Sequence, residues 1–123
     1  MRAKGTVLVV DDDLRFLQTI REVLQEDGYE VAAAVGAHAV DVAGAVRPDV
    51  ILLDLVMPGM NCIEVSQHLR HDPRTADIPL IAISANPELL HSSLLAVDGR
   101  LCKPFKNDDL YGLLARWLTR AWR

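Results

Sequence analysis

Aromatic residues are scarce in this chain. Two Trp, two Tyr and two Phe make up 5% of 123 residues, although 50% of the chain is hydrophobic. The apolar mass is therefore Val, Ile, Leu and Ala, the composition of a parallel sheet covered by helices on both faces. Cysteine is equally sparse, with only Cys62 and Cys102. Two thiols without metal-ligand spacing exclude a disulfide framework and suggest a reducing cytosol. Long apolar runs are missing. A short polar stretch from Met1 to Thr6 precedes Val7 to Val10, a run too short for a signal peptide or a membrane span. The expectation is a soluble cytoplasmic protein with no membrane contact. An excess of positive charge is also absent: 13 basic residues against 17 acidic ones leave −4. That argues against direct binding to nucleic acid. The only basic concentration, Arg116, Arg120 and Arg123, reads as a solvated helix face. No linker, repeat or low-complexity stretch divides the chain, and its length suits one domain over residues 1–123.

Short apolar runs alternate with helical periodicity. Val7 to Val10 reads as a buried strand that stops at Asp11-Asp12-Asp13, so its C-terminal end carries carboxylates. Leu14, Leu17, Ile20 and Leu24 follow at helical spacing, with Gly28 as a stop signal. Tyr29 to Val35 is a second strand candidate. A helix marked by Ala39, Val42, Ala43 and Val46 closes before Pro48. The third strand, Val50 to Leu53, ends in Asp54, and Pro58-Gly59 signals a turn. A short helix is expected from about Asn61 to Leu69, then a polar loop from His71 to Asp77. Leu80 to Ile83 forms a fourth strand ending in Ser84, and Pro87 to about Val97 reads as a helix with proline in its first turn. Arg100 to Cys102 is a short fifth strand ending at Lys103-Pro104. The last helix has the strongest periodicity, through Leu110, Leu113, Leu114, Trp117, Leu118 and Ala121, with Asp108 and Asp109 near its N-terminus. Five strands alternating with five helices predict a parallel α/β sheet covered on both faces.

Polar residues recur at the ends of these strands: Asp11 and Asp12, Asp54, Ser84 and Lys103. In an open α/β sheet, ligands bind outside the carboxyl ends of the strands. Any one such residue alone is ordinarily a cap, a turn former or a surface lysine; the joint placement is what points to a site. Neighbouring carboxylates repel, so a hard divalent cation or a shared proton must relieve them. Mg2+ takes one or two carboxylates, waters and phosphate oxygens. A carboxylate can attack phosphorus to form an acyl phosphate. The transferred group carries charge on its equatorial oxygens, and Mg2+ with Lys103 would neutralise it while Ser84 offers a hydroxyl donor.

Four segments together resemble the signatures of response-regulator receiver domains: Val9 to Asp12, Ile51 to Met60, Ile83-Ser84-Ala85 and Lys103-Pro104-Phe105. They fall in the family's order and cover essentially the whole chain. The resemblance implies the flavodoxin-like doubly wound sheet, strand order 2-1-3-4-5. It implies that Asp54 is the phosphoacceptor. It also implies that Asp11, Asp12 and Asp54 hold Mg2+, one of the Asp11-Asp12 pair through water, with the backbone carbonyl of Val56 completing the set. Ser84 matches the switch hydroxyl, Lys103 the lysine that contacts a phosphoryl oxygen, and Pro104 a residue that often follows a cis peptide bond. The implied partners are a histidine kinase or a histidine phosphotransfer protein upstream and an unknown protein downstream. The implied role is signalling, with self-catalysed transfer and hydrolysis, and not turnover of a metabolite.

The sequence departs from the family's pattern in two places. Arg100 stands where the rotating switch aromatic is usual, and the segment between Ser84 and Lys103 is about three residues short. Arg100 is expected to stay outside with its charge in water, or to pair with Glu88 or Asp108. These departures keep open a receiver-like interaction module that ignores phosphorylation. A third reading, an Asp-nucleophile phosphohydrolase, is disfavoured by Val56, where such enzymes place an acid, and by the lack of a cap domain.

Overall fold

The computed structural model describes residues 4–55 and 61–121. Val56 and the turn expected at Pro58-Gly59 lie outside these residues, as do Arg123 and the side chains of Arg120 and Ala121. The chain runs β1 (Thr6–Val10), α1 (Leu14–Glu26), β2 (Glu30–Ala34), a 3-10 turn (Gly36–His38), α2 (Ala39–Val46) and β3 (Val50–Asp54). It continues with α3 (Cys62–His71), β4 (Leu80–Ser84), α4 (Pro87–Leu90), β5 (Gly99–Cys102) and α5 (Asn107–Ala121). The strands pair in the order β2-β1-β3-β4-β5, and every pairing is parallel.

Strand parity explains the layering. Successive side chains of a strand point to opposite faces. Leu8, Val10, Ile51, Leu53, Leu80 and Ala82 therefore pack in one core with Ala39, Ala43, Val65 and Leu69 of α2 and α3. Val7, Val9, Val50, Leu52, Ile81 and Ile83 pack in the other with Ile20 and Leu24 of α1 and Leu110, Leu114 and Leu118 of α5. Both faces are covered, so β3 is buried throughout, as its uninterrupted apolar run requires.

Local signals set the helix ends. The Asp13 carboxylate caps α1 by accepting from the amides of Arg15 and Phe16, and Gly28 takes the positive φ of 94° that closes the turn after it. Asn61 caps α3. Asn86 caps α4, with Pro87 in its first turn. Gly99 admits a close approach: a Cβ there would lie 3.1 Å from the indole Nε1 of Trp117 on α5.

One element differs from the expectation. The helix expected from Pro87 to about Val97 stops at Leu90. Its terminal carbonyl, on Leu90, accepts from Arg100 Nε at 2.7 Å. The following segment is laid on α3 instead. Ser66 Oγ accepts from the Ala96 amide at 3.1 Å, Gln67 Nε2 donates to the Leu94 carbonyl at 3.1 Å, and Arg70 pairs with Asp98 at 2.7 Å. Leu95, 5% exposed, drops into the core beside them. Backbone groups captured by side chains of another helix cannot also make the i→i−4 bonds of their own. Arg100 itself is exposed on β5, and its hydrogen bond goes to the Leu90 carbonyl, not to Glu88 or Asp108.

Candidate functional site

The parallel register brings the carboxyl ends of the central strands level, pairing Val10 with Leu53, Asp54 with Ile83 and Ser84 with Cys102. The residues at and just beyond those ends form the candidate site. Asp11 follows β1 and is 1% exposed. Its Oδ1 accepts from the Asp13 amide at 2.9 Å; its buried Oδ2 receives no donor among the described residues and, when protonated, the carboxyl can donate to Asp54. Burial raises the Asp11 pKa to about 7, and the neighbouring Asp54 carboxylate adds to the rise. The Asp13 amide and the Lys103 charge act in the opposite direction and lose. A carboxylate in a dry site beside a second one holds its proton unless a cation relieves it.

Asp54 ends β3 and is 5% exposed. Its Oδ2 accepts from Lys103 Nζ at 2.6 Å, and the lysine side chain is 28% exposed. The Lys103-Pro104 peptide that follows β5 is cis. The same ammonium lies 4.0 Å from the centroid of the Phe16 ring on α1. Ser84 is fully buried, and its Oγ accepts from the Asn86 amide at 3.0 Å. The Asn86 side chain in turn caps α4 through the amides of Glu88 and Leu89. The switch candidate is thus wired directly to the first turn of α4.

Asp12 is placed differently from Asp11. It is exposed, and its Oδ1 accepts from the Gly36 amide at 3.0 Å, tying the end of β1 to the 3-10 turn. Among the described residues, no three His, Cys, Asp or Glu side chains are gathered as a metal-holding group. The structure brings together Asp11, Asp54 and Lys103, with Ser84 at the neighbouring strand end. Val56 lies outside the described residues.

The donor set fits Mg2+. Asp11 and Asp54 offer hard carboxylate oxygens, and the buried, donor-free Oδ2 of Asp11 is the kind of atom a divalent cation satisfies. Sequence reasoning missed two contributors. The Asp13 amide orients Asp11; its signal was the acid preceding an apolar helical stripe, the ordinary mark of an N-cap. Phe16 contacts Lys103 across the fold; its spacing in α1 marks it only as a core residue. Cys62 is buried and donates its thiol to the Leu55 carbonyl at 3.0 Å, which ties α3 to the backbone just after Asp54.

The comparisons with known proteins bear on the fold and the family. The family model of the response regulator receiver domain matches residues 7–115. The phosphate regulon transcriptional regulatory protein PhoB of Pseudomonas aeruginosa is 36% identical over 122 residues, covering 94% of this chain and 52% of that protein. The DNA-binding response regulator MtrA of Mycobacterium tuberculosis is 33% identical over 118 residues, covering 93% of this chain and 50% of that protein. The chain thus spans about half the length of these relatives. Among solved structures, the chemotaxis response regulator CheY4 of Vibrio cholerae superposes with a TM-score of 0.82 at 30% identity, over 95% of this chain and 99% of that one. The receiver domain of the sensor histidine kinase PA1611 of Pseudomonas aeruginosa, described with magnesium coordinated in its active-site cleft, gives 0.83 at 28% identity, over 94% and 98%. Sheet order and sequence agree, and the chain belongs to the response regulator receiver domain family of two-component signalling.

Proposed function

We propose that Asp54 is the phosphoacceptor of this receiver and that its donor is the phosphohistidine of a histidine kinase or histidine phosphotransfer protein. The observation that carries the reading is the pairing of Asp54 with Lys103 at 2.6 Å beside the donor-free Oδ2 of Asp11. One anion, one fixed cation and one vacant hard donor meet at a single strand-end cleft. A bond forms between a carboxylate oxygen of Asp54 and phosphorus while the phosphorus–nitrogen bond of the donor breaks. The bonding pair stays on the imidazole nitrogen. Lys103 neutralises a phosphoryl oxygen, and the Ser84 hydroxyl donates to another after giving up its contact with the Asn86 amide.

Asp11 and Asp54, with Asp12 through water and the backbone carbonyl of Val56, would hold Mg2+. When bound, the ion supplies positive charge to the phosphoryl oxygens. The chain then works as a cytoplasmic signalling module that changes its affinity for a downstream protein, and not as an enzyme acting on a metabolite. Among the described residues no helix is long and apolar enough to cross a membrane.

The test is self-phosphorylation by acetyl phosphate with Mg2+, read by intact mass. The wild type gains one phosphoryl group and Asp54→Asn gains none. Stoichiometric labelling of Asp54→Asn overturns the assignment.

A second reading, an interaction module indifferent to phosphorylation, is favoured by Arg100. That residue holds α4 by the Leu90 carbonyl and stands where a mobile aromatic would complete the relay. Equal partner affinity before and after phosphorylation would support it.

A further inference from the structure

We propose that Phe16 is a positioning residue for phosphotransfer, its ring face holding the Lys103 ammonium at the mouth of the site. The inference rests on the reading that Lys103 meets the phosphoryl group. A lysine presents its charge on a flexible four-carbon stem, and this stem is 28% exposed. The Asp54 carboxylate anchors the ammonium before reaction at 2.6 Å. That anchor changes at the moment of transfer, because the carboxylate becomes an acyl phosphate and the negative charge moves outward onto phosphoryl oxygens. An ammonium held only by Asp54 would have to be recaptured. The Phe16 ring, 4.0 Å away at its centroid, holds the cation without being consumed, since the attraction is to the quadrupole of the ring face.

The bland account of Phe16 is core packing. It lies on the apolar stripe of α1 with Leu17, Ile20, Val23 and Leu24, against the core shared with α5. Leucine would serve that role equally well. The geometry separates the two accounts. The other lysine–aromatic contact among the described residues, Lys4 over Tyr29, spans 5.7 Å, and there the ammonium, on a side chain 56% exposed, is turned to half-buried Asp27. Lys103 instead lies between a nearly buried carboxylate and a ring face. Phe16 is placed by local chemistry: the Asp13 cap accepts from the Arg15 amide at 3.0 Å and the Phe16 amide at 3.4 Å. Asp13 thus both orients Asp11 through its amide and caps the helical turn that carries Phe16.

The experiment uses the full chain, acetyl phosphate and Mg2+, with initial rates of phosphorylation read by intact mass. Phe16→Leu is expected to slow the reaction about two- to tenfold, the range of a partly desolvated cation–π contact. Phe16→Tyr, which keeps the ring face, is expected to restore the rate. In a Lys103→Met background, Phe16→Leu is expected to have no further effect, since the contact is already gone. Proton NMR supplies an independent reading. The Lys103 ε-methylene protons are shifted upfield by the ring in the wild type and in Phe16→Tyr, and they return to ordinary positions in Phe16→Leu. An unchanged rate in Phe16→Leu overturns the proposal. So does the same fractional slowing with and without Lys103, which would mark Phe16 as packing alone and leave the role of Lys103 standing. A Lys103→Met protein as fast as the wild type overturns the role of Lys103 and this inference with it.

Discussion

Asp11→Asn is expected to stabilise the protein when Mg2+ is withheld, and the gain should depend on pH in a defined window. In the folded chain burial raises the Asp11 pKa from 3.8 to about 7. The unfolded chain, with an ordinary pKa, gives up this proton first as pH rises. Below about pH 3.8 both states are protonated and the group contributes nothing. Between about 3.8 and 7 the folded state holds a proton the unfolded state has lost, so stability falls as pH rises, by up to about 1.4 kcal/mol per pH unit. Above 7 the cost is complete. The full shift corresponds to about 4 kcal/mol, but Asp11 and Asp54 interact and titrate as a pair. We assign about half, roughly 2 kcal/mol, to the single substitution. Asparagine keeps an acceptor for the Asp13 amide and presents no second negative charge to Asp54. Urea unfolding at pH 4, 6 and 8 in the presence of a chelator measures the effect. The gain should be near zero at pH 4 and largest at pH 8, and saturating Mg2+ should reverse the order of the two proteins, since the variant lacks one of the two carboxylates that would hold the ion directly. An Asp11→Asn protein that is no more stable at pH 8 than at pH 4 would refute the account of Asp11 as a buried, uncompensated carboxyl.

Further outcomes concern the segment that departs from the family. Leu95→Ala should cost about 2–5 kcal/mol in urea unfolding, because Leu95 drops the segment after α4 into the core at 5% exposure; a loss below 1 kcal/mol would mean the segment merely lies on the surface. In a crystal structure with beryllofluoride as phosphoryl mimic, Arg100 should remain on the exposed side of β5, since burying its guanidinium unpaired costs several kcal/mol. A guanidinium filling the space beside Ser84 would show that the ordinary relay operates with an unusual residue.

The sequence by itself determined the layers of this protein and which polar residues stand at its strand ends. Four-residue runs such as Val7–Val10 and Val50–Leu53 are apolar at both parities, so they can only be strands buried on two faces. Once they alternate with helices, a parallel sheet follows, and its ligands belong at the carboxyl ends where Asp11, Asp54, Ser84 and Lys103 stand. That reasoning needs only the period of side chains along a strand and the cost of burying charge. Tertiary structure decided what depends on contacts distant along the chain. Helix α4 ends at Leu90 because Ser66, Gln67 and Arg70 of α3 capture the segment after it and Arg100 of β5 takes its last carbonyl. A local reading of Pro87 to Val97 meets a favourable proline and then no glycine or second proline to stop a helix. Asp11 and Asp12 are likewise equal as letters, yet one is buried with an orphan oxygen and the other faces the Gly36 amide. Adjacent residues leaving a strand point in opposite directions, and only the packed neighbours determine which direction is dry. Phe16 carries the same lesson. Its spacing marks it for the core, but its contact with Lys103 exists only because the sheet brings the start of α1 and the end of β5 to the same edge.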